Sequence, residues 1–249
     1  MCVVALAWRA HPRWELVAIG NRDEYHDRSA APLARWADAD HLIAGRDLQS
    51  GGTWLGVSEQ GRFAVVTNLR GYGLPADGRP SRGALVTELL AGTDPDGLAL
   101  EGYNPVNLIT IDGGRALFLS NRPEVVRTGL GSGLYGLSNG TLDEPWPKTL
   151  RLKSILLDWL TRSADRRETL LEGLGEDILP EIGRDPAIPS DVPLEPNHSP
   201  IFIRNPVYGT RCSSVVTIDR KGQGLFIERR YSATGERGGE TRRYFSWPI

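Results

Sequence analysis

The sequence predicts an α+β fold in which antiparallel sheets are covered by helices. Three observations carry that prediction. Strand signals crowd the first half, helical periodicity takes over past residue 145, and strand signals return near residue 210. A chain of 249 residues is ample for a proper hydrophobic core.

Taken in order, "CVVALAW" (2–8) and "WELVAIG" (14–20) are rich in Val, Ile and Trp, and "AHPR" between them supplies hairpin turn chemistry. "GGTWLGVS" (51–58) and "RFAVVTNL" (62–69), joined by the polar "EQG", read as a second hairpin. Ser81 is placed to cap a helix over "RGALVTELLAG", with Leu85, Leu89 and Leu90 on one face. "VNLITID" and "ALFLSN" flank a "GGR" turn. Pro147 suits a first helical turn, and Leu150, Ile155, Leu156, Trp159 and Leu160 then recur with helical period. "DRRETLLEGL" continues that layer as a second helix. Residues 180–200 are too proline-dense for helix or central strand, and read as a surface connection or a lid. "TRCSSVVTID", "GLFIERRY" and "TRRYFSW" close the chain as strands.

Composition excludes several classes. A net charge of −2 gives no electrostatic reason to expect nucleic acid or an anionic membrane as partner. Only Lys148, Lys153 and Lys221 are lysines, so the 29 basic residues include 26 arginines (29 − 3), spread along the whole chain. Two cysteines, Cys2 and Cys212, form no disulfide framework. No apolar run approaches membrane-spanning length, and Arg9, His11, Arg13 and Glu15 interrupt any signal-like stretch, so a reducing cytoplasm is the expectation. The four histidines show no ligand pairing and no haem-attachment motif occurs, so neither a metal nor a cofactor is expected.

The chemistry-bearing stretches begin with Cys2. It reads either as a small apolar strand residue or, once Met1 is removed, as a thiol and an α-amine on one residue. "GNRDEYHDR" (20–28) places Arg22 and Asp23 at the end of the strand hairpin-linked to Cys2. Arg22 is suited to lowering a thiol pKa and Asp23 to fixing a free amine; the plainer reading is a solvated charged turn. Adjacent strand residues point to opposite faces, so both serve one site only if the strand ends or bulges there. Asn68 in "VVTNLRG" and Asn139 in "GLSNGTLDEPWP" sit at strand ends, where an amide can donate to a developing oxyanion or simply support a turn. Arg211, beside the apolar "SSVV", calls for an anionic partner: Asp23, a substrate carboxylate or another acid. Cys212 reads as a core residue facing away from Arg211.

Two glycine-rich motifs compete. "AGRDLQSGGTWLG" lacks the lysine and the spacing of a phosphate loop, and reads as a tight turn feeding a strand, with Trp54 toward a pocket. "GLSNG" (136–140) matches G-x-S-x-G, with Asp185 or Asp191 and then His198 downstream. Its context is wrong, because "TLDEPWP" rather than a helix follows Ser138.

"MC" at the start, "NRDE" at 21–24, "AGRDLQSGGTWLG", "TNLR", "SRG", "GLSN…PWPK" and "YGTR" together resemble the NRDE-motif proteins, the transport-and-Golgi-organisation family. The match runs over almost the whole chain and implies a single domain, 1–249. That family is placed with the N-terminal-nucleophile hydrolases, which implies a four-layer αββα sandwich. The site is also similar to that of the bile-salt and penicillin V acylases, and the resemblance assigns Cys2, Asp23 with Arg22, Asn68, Asn139 and Arg211 to catalysis. It implies hydrolysis of a small non-peptide amide through a thioester. A rival implication is a non-catalytic binding or trafficking protein for haem or another hydrophobic ligand.

Overall fold

The structure, a computed structural model, describes residues 2–162, 165–178 and 200–249. Two antiparallel sheets stack face to face. The first has six strands in the order β10-β1-β2-β11-β12-β13. They are β1 (Cys2–Trp8), β2 (Trp14–Tyr25), β10 (Gly133–Leu137), β11 (Tyr208–Asp219), β12 (Gln223–Tyr231) and β13 (Arg237–Ser246). The second has seven strands in sequence order: β3 (Ala30–Trp36), β4 (Ala39–Asp47), β5 (Leu55–Ser58), β6 (Arg62–Asn68), β7 (Val106–Asp112), β8 (Arg115–Ser120) and β9 (Val126–Leu130). Helix α1 (Arg82–Ala91) packs over β4 to β7, while α2 (Pro147–Arg162) and α3 (Arg167–Gly173) pack on β1, β10 and β11. The result is the four-layer αββα sandwich. No helix among the described residues is long and apolar enough to cross a membrane.

Burial on both faces explains why "CVVALAW" is apolar without alternation. Val4, Leu6 and Trp8 point into the core between the sheets. Val3, Ala5 and Ala7 point the other way, onto Leu152, Leu156 and Trp159 of α2. A strand buried on both sides has no polar face to display. On the second sheet, Ala44, Gly56 and Ala64 are cross-strand neighbours and so share one face. Their small size lets α1 approach closely: a Cβ at Gly56 would stand 2.7 Å from Leu90 Cδ1. Ser81 caps α1 by accepting from the Gly83 N–H, and Gly92 ends it in the left-handed conformation.

Three strands, β3, β4 and β9, were not legible from the sequence, while the strand expected before Asn139 is β10. "AGRD" belongs to the end of β4 rather than to a turn, and the strand after it starts only at Leu55. Leu150 is 52% exposed, so the buried stripe of α2 runs through Leu152, Leu156, Trp159 and Leu160 instead. The proline-dense segment lies outside the described residues apart from Pro200, as do Asp185, Asp191 and His198.

Candidate functional site

"NRDE" is neither a turn nor solvated. Strand β2 runs on through Tyr25, and Asn21, Arg22 and Asp23 are buried within it. Hairpin register sets Cys2 opposite Arg22, and on the other side of β2 Arg22 stands opposite Cys212, which in turn faces Arg230 on β12. Cross-strand partners share a face, so these four side chains form one row across the sheet. All four line a cavity of about 690 Å³.

Thr210 pairs with Asp23 and Cys212 with Arg22, which leaves Arg211 as an extra residue, a β-bulge. The strand that carries Arg22 and Asp23 neither ends nor bulges there; the extra residue lies on its neighbour β11. Arg22, Asp23, Arg211 and Cys212 all line the cavity. This corrects the expectation that Cys212 faces away from Arg211, because strict alternation fails at a bulge. Among the described residues Arg211 pairs with neither Asp23 nor another acid. Its Nη1 donates to the backbone carbonyls of Tyr25 (2.7 Å) and Arg28 (2.9 Å), which satisfies a half-buried guanidinium without an acid.

Cys2 is partly exposed at the cavity wall. Burial pushes its thiol pKa up and the charge of Asp23 adds to this; a backbone hydrogen bond from Asp23 and the Arg22 guanidinium pull the other way without prevailing. Arg22 is an incomplete activator because its Nη2 donates to Asp47 Oδ2 at 3.0 Å. The thiol is thus protonated near neutral pH and needs a base.

Asp23 is 3% exposed, and its Oδ1 accepts from Thr210 Oγ1 at 2.7 Å. Burial raises its pKa to about 6, against the pull of Lys148, the Thr210 hydrogen bond and Arg70. Lys148, in the first turn of α2, is 4% exposed, and burial lowers its pKa to about 8 while Asp23 and Cys2 hold it up. Neither Lys148 nor Arg70 was singled out for chemistry by the sequence. A usable signal existed: Lys148 is one of three lysines in a chain that otherwise uses arginine, and lysine is the cation whose pKa burial can move.

The two asparagines meet. Asn68 ends β6 and lines the cavity, and its side-chain amide makes no hydrogen bond among the described residues. Asn139 is fully buried and lies behind the wall. Its Nδ2 donates to the Asn68 carbonyl at 2.8 Å, and its Oδ1 accepts from Lys148 Nζ at 3.4 Å. Ser138, the centre of the G-x-S-x-G match, donates to the Cys2 carbonyl at 3.2 Å. Trp54 lines the cavity, over Gly20. Among the described residues no three His, Cys, Asp or Glu side chains are grouped to hold a metal ion.

Known proteins resemble this chain in sequence and in fold. The family profile described as Transport and Golgi organisation 2 matches residues 1–233. The Homo sapiens Transport and Golgi organization protein 2 homolog is 32% identical over 272 residues, spanning 98% of each chain. The Drosophila melanogaster Transport and Golgi organization protein 2 is 25% identical, over 96% of this chain and 95% of its own. Among solved structures, a variant of the conjugated bile acid hydrolase from Clostridium perfringens superposes with a TM-score of 0.54 at 9% identity, covering 99% of this chain and 97% of that one. That likeness is one of fold, the N-terminal-nucleophile hydrolase sandwich. On the sequence match over nearly its whole length, the chain belongs to the Transport and Golgi organisation 2 family.

Proposed function

We propose that this chain is an N-terminal-cysteine amidohydrolase that cleaves a small non-peptide amide through a thioester. One observation carries the reading. Cys2, a partly exposed residue, lines a cavity wall beside a buried acid, Asp23, and a buried amine, Lys148, of opposite charge. A fold shared with a conjugated bile acid hydrolase supports it.

Removal of Met1 leaves an α-amine on Cys2, with a reference pKa of about 7.7–8.0. A thiol held protonated by burial needs such a base, and the amine takes its proton. Sγ then attacks the amide carbonyl carbon and the C=O electron pair moves onto oxygen. The Asn68 amide donates to that oxyanion, an interaction of about 3 kcal/mol where such donors have been removed. Asn139 acts from behind by holding the Asn68 carbonyl. On collapse the C–N bond breaks, the leaving nitrogen takes the proton from the α-ammonium, and a thioester remains. Water, deprotonated by the same amine, attacks the thioester, and the acyl group leaves as a carboxylic acid while the thiol is regenerated. Asp23 fixes the amine, and Arg22 and Arg211 add positive field at the wall.

The rival, a carrier for haem or another hydrophobic ligand, finds less support in a cavity wall so rich in arginine. The test is intact-mass measurement of protein from its native host, followed by a screen of N-acyl amides. The processed protein is expected to form an acyl-enzyme that Cys2→Ser abolishes and Cys212→Ser retains. A population that keeps Met1 throughout sinks the reading.

A further inference from the structure

We propose that the arginine wall of this cavity is a receptor for the carboxylate of an acidic amide, one bearing its carboxylate on the carbon next to the amide nitrogen. The inference rests on the amidohydrolase reading for where the amide sits, and on charge bookkeeping for the carboxylate.

Seven arginines line the cavity against four acids, Asp23, Glu24, Asp47 and Glu228. Those acids are committed. Asp47 accepts from Arg22 and Arg28, and Glu24 lies 3.8 Å from the same two guanidiniums. Glu228 accepts from the Leu33 N–H at 2.9 Å, and Asp23 from Thr210. Arg79, Arg211 and Arg230 form no ion pair with a carboxylate among the described residues; Arg79 and Arg211 donate to backbone carbonyls instead. Two guanidinium nitrogens, Arg22 Nη1 and Arg230 Nε, are buried with no hydrogen-bond partner among the described residues. Arg22 itself is 9% exposed. A buried donor is costly to leave unmet, on Arg22 although Asp47 already offsets its charge, and on Arg230 with no carboxylate paired to it among the described residues; an oxyanion satisfies both donors and the unpaired charge.

Position selects the kind of anion. The row Cys2–Arg22–Cys212–Arg230 steps across the sheet one strand at a time, about 4.8 Å per step. An amide carbonyl over Cys2 therefore has Arg22 as the nearest arginine of the row and Arg230 within about 14 Å. A carboxylate attached beside the amide nitrogen reaches the Arg22 end of that row. The acyl side is left to Trp54 and Val66.

The experiment uses the full-length Cys2→Ala protein, which cannot turn over, and titrates N-octanoylglycine against the neutral N-methyloctanamide by calorimetry. The acid is expected to bind at least about tenfold tighter, as one charge-assisted contact implies. Its preference is expected to fall several-fold in Arg230→Met and to shrink as salt is raised. Arg211→Met serves as a second variant, and thermal melting confirms that each variant is folded. Equal binding of the two amides, no binding of the acid, or a preference untouched in both folded arginine variants would overturn the proposal. Failure of the catalytic reading looks different: processed wild type turns over neither amide while the Cys2→Ala protein still selects the acid, which upholds the anion site alone.

Discussion

Arg22 stands directly across the β1–β2 hairpin from Cys2, yet its guanidinium reaches to the other sheet, where Nη2 meets Asp47 Oδ2 at 3.0 Å. The cation across the hairpin from the thiol is thus neutralised by an acid from β4. Asp47→Asn removes that competing charge and is expected to lower the Cys2 pKa from its raised value. The rate of Cys2 alkylation by iodoacetamide against pH, read by mass spectrometry, gives the midpoint. A midpoint unchanged in Asp47→Asn would show that burial alone sets it.

Asp23 and Lys148 make stability depend on pH in opposite senses. The folded pKa of Asp23, about 6, exceeds the ordinary 3.8, so the folded state holds its proton more tightly. Stability is therefore higher below the unfolded pKa and falls as pH rises from about 4 to 6, by about 3 kcal/mol at most. Lys148, lowered from 10.5 to about 8, is the reverse: the unfolded chain binds more protons, so stability rises between about 8 and 10.5. Urea midpoints across pH check both slopes.

Removing one member of that pair shifts the other. Lys148→Met deletes a charge that holds Asp23 down, so the Asp23 pKa is expected to climb further above 6. Carboxyl NMR titration of the variant reads it. A value unchanged at about 6 would mean that the two charges do not sense each other.

Glu228 ties the sheets together, since its Oε1 accepts from the Leu33 N–H of edge strand β3. Glu228→Ala leaves that buried donor unmet and is expected to cost about 2 kcal/mol. Glu228→Gln keeps an acceptor oxygen and is expected to cost much less. Denaturation of both variants decides; equal losses would mean that the charge, not the hydrogen bond, matters.

Gly52 and Gly83 touch backbone to backbone, holding the Thr53–Trp54 wall against the start of α1. A Cβ at Gly52 would lie 2.5 Å from the Gly83 carbonyl carbon. Gly52→Ala forces that wall outward and is expected to cost about 1–3 kcal/mol. Gly51→Ala meets open space and strains only its own positive φ, about 1–2 kcal/mol. Acidic-amide affinity separates them: Gly52→Ala is expected to weaken it and Gly51→Ala to leave it intact.

Local pattern was enough for much of this protein. The hairpin that brings Arg22 to Cys2, the Ser81 cap, the helix opened by Pro147 and the last three strands follow from side-chain alternation, turn residues and capping within short windows. Strands β3, β4 and β9 escaped that reading because segments such as "AAPLARW" and "VRTGL" are short, partly exposed and polar, and gain their order from neighbours already in place.

The sequence by itself determined which residues lie near Cys2 along its own hairpin, and that an acid and an arginine are among them. Only the tertiary structure decided that Lys148 from α2 approaches Asp23, that Asp47 from β4 claims Arg22, and that Arg230 joins their row. Charge and burial are properties of a neighbourhood assembled from segments far apart in the chain. No short window contains them.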